Sequence, residues 1–122
     1  MQATLVVLAL VLLPSTAHTA ERQKLPAQFV GDWCFVKETL YREAVYRRGS
    51  CLDKHDSWLR IRADGYEAHE TNCKVIDAAP VAKRGDYLVK LQCSGEGQTW
   101  KVSHWMSIRN QQLFIEEIEQ EL

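Results

Sequence analysis

Three histidines and their acidic neighbours are the first groups in this chain whose types and spacing could do chemistry. His69 precedes Glu70, His55 stands between Asp53 and Asp56, and His104 lies further along. An imidazole beside a carboxylate can pass a proton or hold a metal ion, so an acid/base or metal centre can be sketched from these residues. The spacing argues against it, because this His-Glu lacks the second helical histidine of a zinc protease. There is no G-x-S-x-G elbow, phosphate-binding glycine loop or dinucleotide fingerprint. Gly95-Glu96-Gly97 looks like a fragment of a glycine loop, but it joins two strand patterns and reads as a hairpin turn. No enzyme, cofactor or metal is therefore expected.

The cysteines carry a different chemistry. Cys34, Cys51, Cys73 and Cys93 in a small exported chain read as two disulfides, with three connectivities open. Cys34–Cys51 with Cys73–Cys93 is the favoured pairing, since the latter two fall opposite each other if their strands pair about position 83. Each bridge closes a loop of about 20 residues, worth on the order of 3 kcal/mol. No C-x-x-C spacing supports a zinc site.

Four tryptophans are many for a domain of this size, and as large aromatics they belong first to the core. As binding residues, Trp33, Trp100, Trp105 and Tyr87 are the candidates for lining an apolar ligand site. Trp105 stands apart, because its parity sets it off from the apolar face of its own strand.

Export is read from the N-terminus, where Leu5 to Leu13 is an unbroken apolar run followed by Pro14 and small residues, with no Lys or Arg ahead of it. At nine residues the run falls well short of the roughly 20 needed to span a bilayer, so residues 1–20 read as a signal peptide. Cleavage after Ala17 puts Ser15 and Ala17 at the small-residue positions, whereas cleavage after Ala20 puts His18 at one of them. About 100 residues remain, enough for one domain with one core. All 15 Lys and Arg and all 16 Asp and Glu follow residue 20. That even balance gives no reason to expect nucleic acid or an anionic membrane as partner. A monomer without stable membrane insertion, periplasmic or secreted, is expected.

These residues need elements to position them. Residues 21–28 are polar with one proline and read as a flexible arm ahead of a single β domain at 29–122. The first strand is expected over Phe29 to Val36, with Trp33 and Phe35 on one face. Lys37 to Gly49 carries i,i+4 pairs (Glu38 with Arg42, Glu43 with Arg47), so a short helix and a long hairpin are both open there. Trp58 to Arg62 alternates cleanly, and Ala63-Asp64-Gly65 supplies a turn in which Gly65 would take a positive φ. The return strand from Tyr66 changes parity before Cys73, which a bulge near Thr71-Asn72 would repair. After a polar loop at Pro80 to Asp86, residues Tyr87, Val89, Leu91 and Cys93 face inward. Trp100, Val102, His104, Met106 and Ile108 share the next inner face, and Leu113 to Ile118 form the last strand. About six strands with short turns make an antiparallel meander, closed as a small β-barrel or coiled sheet so that no edge is left exposed.

Longer words in the chain carry a resemblance. GDWC at Gly31 to Cys34, IRADGYEAHETNC at Ile61 to Cys73 and CSGEGQTW at Cys93 to Trp100 resemble small exported proteins of unassigned activity from rhizobial-type alphaproteobacteria. The resemblance covers most of the mature chain and implies location alone. Gly31-Asp32-Trp33 is also similar to the G-x-W that opens lipocalin-like barrels and small periplasmic inhibitors of secreted metalloproteases. This likeness implies that Trp33 closes one barrel end, and for the inhibitors that the arm at 21–28 enters a protease cleft. Two functions are thus expected in order: a module binding a small apolar ligand inside a barrel, or a protein-interaction module acting through its arm.

Overall fold

The structure, a computed structural model, describes residues 2–6, 22–51, 57–81 and 85–118. Most of the leader and the His55 cluster lie outside them. Eight strands follow a 3₁₀ turn at Ala27–Phe29: β1 (Gly31–Glu38), β2 (Glu43–Arg48), β3 (Trp58–Arg62), β4 (Gly65–Ala68), β5 (Thr71–Val81), β6 (Asp86–Gly95), β7 (Gln98–Arg109) and β8 (Gln112–Ile118). They form a closed antiparallel barrel in the order β1-β2-β8-β7-β6-β5-β4-β3, with β3 paired back to β1. No helix among the described residues is long and apolar enough to cross a membrane.

Side-chain alternation builds the wall. In β3, Leu59 and Ile61 are buried between exposed Trp58, Arg60 and Arg62. In β6, Val89, Leu91 and Cys93 are buried between exposed Lys90, Gln92 and Ser94. Since successive side chains of a strand point to opposite faces, each strand offers one apolar row to the interior and one polar row to water. Tight turns join the later strands. Glu96 and Gly97 (φ 50° and 76°), and Asn110 and Gln111 (φ 49° and 65°), put two left-handed residues at each hairpin tip, the backbone twist such hairpins favour.

From β3 onward the chain is the expected meander, but the start is not. β1 lies between β2 and β3, so the connection from β2 to β3 must travel from one barrel end to the other. Cys51 on that connection is bonded to Cys34 of β1, which fixes the crossing to the strand it passes. The second bridge, Cys73–Cys93, joins directly opposed residues of β5 and β6 on the inner face. Both pairings are those expected from the sequence.

Several local readings change. Lys37 to Gly49 is a hairpin: Thr39 N–H donates to Glu43 O (2.8 Å), and residues 43–48 pair with β1 on one side and β8 on the other. Helical ion pairs worth a few tenths of a kcal/mol each do not compete with two ladders. The parity change before Cys73 is a turn, not a bulge at Thr71-Asn72. β4 ends at Ala68, His69 and Glu70 turn the chain (Glu70 φ 54°), and β5 starts at Thr71. The irregularity of β5 falls later, between Val75 and Asp77. β5 also continues through Pro80 to Val81, which shortens the expected loop. Phe29 belongs to the 3₁₀ turn rather than to the first strand.

Gly65 is required for a different reason than expected. Its φ is not positive; instead, a Cβ there would lie 2.0 Å from the carbonyl oxygen of Cys73 on β5. Gly65→Ala is expected to cost at least about 2–3 kcal/mol, since strand β4 cannot accept the methyl without leaving its partner. Gly97→Ala, which meets open space at a φ of 76°, is expected to cost only about 1 kcal/mol. Urea unfolding of the two variants checks this, and equal losses would contradict the steric account.

Candidate functional site

The strand directions give the barrel two unlike ends. One end gathers the start of β1, the end of β2, the β3–β4, β5–β6 and β7–β8 turns and the segment before β1. That segment, the described part of the arm, lies against the barrel. Leu25 is buried and its N–H donates to Ala63 O (2.6 Å), Arg22 meets Asp77 at 2.7 Å, and Gln28 Nε2 donates to Gly85 O (3.1 Å). Phe29, completely buried, stands beneath it.

Two of the sequence-derived site residues belong to this plug. Trp33 is 1% exposed, its Nε1–H donates to Phe29 O (2.9 Å), and the guanidinium of Arg48 lies 4.2 Å from its ring centre. Tyr87 meets Phe29 edge-on, with ring centres 5.8 Å apart. The other two candidates lie elsewhere. Trp105 faces out from β7 and donates from Nε1 to Asp86 Oδ2 (3.0 Å), and Trp100 stands near the far end, 40% exposed. The four do not converge on one site. The space between them holds the barrel's own packed cluster, sixteen buried side chains that run from Leu25 and Phe29 through Leu91 and Met106 to Ile115.

The opposite end, the mouth, is built otherwise. On its inner wall Tyr66 of β4 and His104 of β7 stack at 5.8 Å with nearly parallel rings, and the phenol oxygen of Tyr66 is hydrogen-bonded to Nδ1 of His104. Burial lowers the His104 pKa to about 4. Burial first, then the nearby Tyr46 and Glu117, pushes the Tyr66 pKa well above its ordinary value. Burial also raises that of Tyr46, whose ring meets Phe35 of β1 edge-on at 5.7 Å. Near neutral pH the Tyr66–His104 pair is therefore uncharged. Its neutral imidazole can accept the phenol hydrogen at Nδ1, which satisfies two polar groups in an apolar wall and generates neither a base nor a nucleophile.

Around this inner ring, large apolar side chains face water. Leu40 (100% exposed) and Tyr41 (81%) form the tip of the β1–β2 turn. Phe35 and Val36 at the end of β1, Trp58 at the start of β3 and Trp100 near the start of β7 are also exposed. Between Trp100 and the His69-Glu70 turn lies a hollow of about 260 Å³. His69 and Glu70 are 3.7 Å apart at the rim of that hollow, and both side chains are largely exposed to solvent. Among the described residues, no three His, Cys, Asp or Glu side chains gather as metal ligands.

Sequence reading placed His104 on an inner face but not against Tyr66. Two strands stand between β4 and β7, so the pair meets across the barrel and only closure reveals it.

His104 gives a pH dependence. An unfolded chain binds a proton at an ordinary imidazole near pH 6.5, whereas the folded chain refuses it until about pH 4. The unfolded state thus holds more protons between these values, and stability falls as pH drops through this window, by on the order of 3 kcal/mol when complete. The expected NMR titration midpoint of His104 is near 4. In His104→Gln the slope of unfolding free energy between pH 6.5 and 4 is expected to be smaller than in the wild type, and an unchanged slope would contradict the assignment.

Comparison of the chain with family models, with curated proteins and with solved structures found no match in any of the three.

Proposed function

We propose that this protein is a non-catalytic, exported binding module that docks another protein on the mouth end of its barrel. The observation that carries this reading is the contrast between a filled interior and an apolar end. Sixteen buried side chains occupy the space a small apolar ligand would need, while Leu40, Tyr41, Trp58 and Trp100 face water. Soluble monomers rarely leave several large apolar side chains exposed at one place, and aromatic residues are the usual anchors of protein interfaces.

Export is supported by the apolar leader and by the two disulfides, which fit an oxidising compartment outside the cytoplasm. Periplasm or secretion is the finer part of this proposal. Of the two functions expected from the sequence, the interaction module is preferred, with a different contact surface. Leu25 and Phe29 of the arm are packed into the barrel floor, so a partner using the arm would first have to extract them.

The test is affinity capture from a periplasmic extract with the mature protein and its Leu40→Asp/Tyr41→Asp variant. Both positions are exposed, so the variant's stability is expected to stay within about 0.5 kcal/mol of the wild type. Loss of two interface anchors is expected to weaken capture at least roughly ten-fold. Undiminished capture by the variant would move the contact elsewhere. Stoichiometric binding of an apolar dye or fatty acid, unaffected by the double substitution, would restore the small-ligand reading.

A further inference from the structure

Four arginines of the described chain meet a carboxylate: Arg22 with Asp77, Arg60 with Asp32, Arg62 with Glu67 and Arg109 with Glu43. Arg47 and Arg48, at the end of β2, pair with no carboxylate among the described residues, yet both line one hollow of about 680 Å³ at the plug end. The same hollow is lined by Ile108, Asn110, Gln111 and Gln112 of the β7–β8 hairpin and by Gln28 of the plug, and Gln112 is the ladder partner of Arg47. Among the described residues, none that lines the space is acidic.

One of the two cations is held in place by the fold. Arg48 donates from Nη1 to Val30 O (3.1 Å) and from Nη2 to Gln28 O (2.9 Å), with its guanidinium on the face of Trp33. Gly31 leaves it room, for a Cβ there would come within 2.9 Å of Nη1. Two of the five guanidinium N–H groups are thus engaged, by neutral carbonyls that leave the positive charge uncompensated. A role in fastening the plug explains the carbonyl bonds of Arg48. It does not explain a second guanidinium, that of Arg47, with no carboxylate partner among the described residues, nor the four amide residues that with Ile108 complete the lining.

We infer that this hollow binds a small oxyanion, with Arg47 and Arg48 supplying charge and the hairpin carboxamides supplying further donors. Guanidinium forks match the paired oxygens of carboxylate and phosphate, and such charge-assisted hydrogen bonds are about twice as strong as neutral ones. The fixed position of Arg48 removes part of the ordering cost that a free surface arginine would incur on binding. This site lies at the opposite end of the barrel from the apolar mouth, so its occupation does not depend on the protein-docking proposal.

The test is an amide NMR titration of the mature protein at low salt with inorganic phosphate, citrate and uncharged glucose. Saturable shifts confined to residues 110–112, residues 47–48 and the plug are expected with at least one of the two anions and not with glucose. Citrate alone would make the ligand a carboxylate, and phosphate alone a phosphate. Arg47→Gln is expected to weaken binding roughly ten-fold. Gln111→Glu, an exposed turn position that adds a carboxylate to the hollow without touching the plug, is expected to weaken it by a similar factor. No saturation at millimolar anion, equal shifts with glucose, or unchanged affinity in both variants would each overturn the proposal.

Discussion

The seat of Trp33 is the interaction on which the barrel's closed end depends. Its ring is buried on the inner face of β1, its indole N–H is held by Phe29 O before the strand begins, and its face is covered by Arg48 from β2. Arg48 in turn ties down two carbonyls of the segment that leads into β1. One side chain therefore joins the incoming chain, the first strand and the second. Truncating a core tryptophan of this kind costs about 3–5 kcal/mol, which is comparable with the net stability of many small domains. Leu25 and Phe29 would then have no floor to pack on.

The mouth reaches polar satisfaction by another route. No buried side-chain nitrogen or oxygen of the described residues lacks a hydrogen-bond partner, and at the mouth Tyr66 and His104 meet this requirement for each other. Because burial penalises the charged imidazole, the site that completes the wall also makes it sensitive to acid. Beside this pair, with Cys73 opposite Tyr66, the Cys73–Cys93 bridge spans two opposed strands on the inner face, so covalent chemistry occupies space that a larger barrel would leave to ligand.

Much of this was legible in the sequence because alternation and register are local. The strands at Trp58–Arg62 and Asp86–Gly95, the inward rows they present and the opposition of Cys73 to Cys93 follow from the period of two and a loop centre. Other features were hidden because they depend on residues far apart in the chain. The insertion of β1 between β2 and β3 leaves no local pattern, and neither does the meeting of Tyr66 with His104 across the interior. The His69-Glu70 turn was misread as strand because neither residue is a usual turn former, yet Glu70 adopts a positive φ there. Gly65 looked like a turn glycine, but what it accommodates is the Cys73 backbone on the adjoining strand.

The outer wall between the two ends is fastened by ion pairs. Arg60–Asp32 joins β3 to β1, Arg62–Glu67 joins β3 to β4, and Arg109–Glu43 joins β7 to β2 across the Phe114 ring of β8, with the Arg109 guanidinium 3.7 Å from the ring centre. Exposed pairs of this sort contribute at most about 1 kcal/mol each. Their larger consequence is that each arginine on this wall that meets a carboxylate is neutralised locally. With the interior filled as well, the surfaces left chemically unsatisfied are the ends, and they differ in kind. At the mouth Leu40, Tyr41 and Trp100 face water, and at the plug end Arg47 and Arg48 meet no carboxylate among the described residues. The packed interior separates these two ends, so the chemistry of each is set by the side chains gathered there and not by a shared cavity.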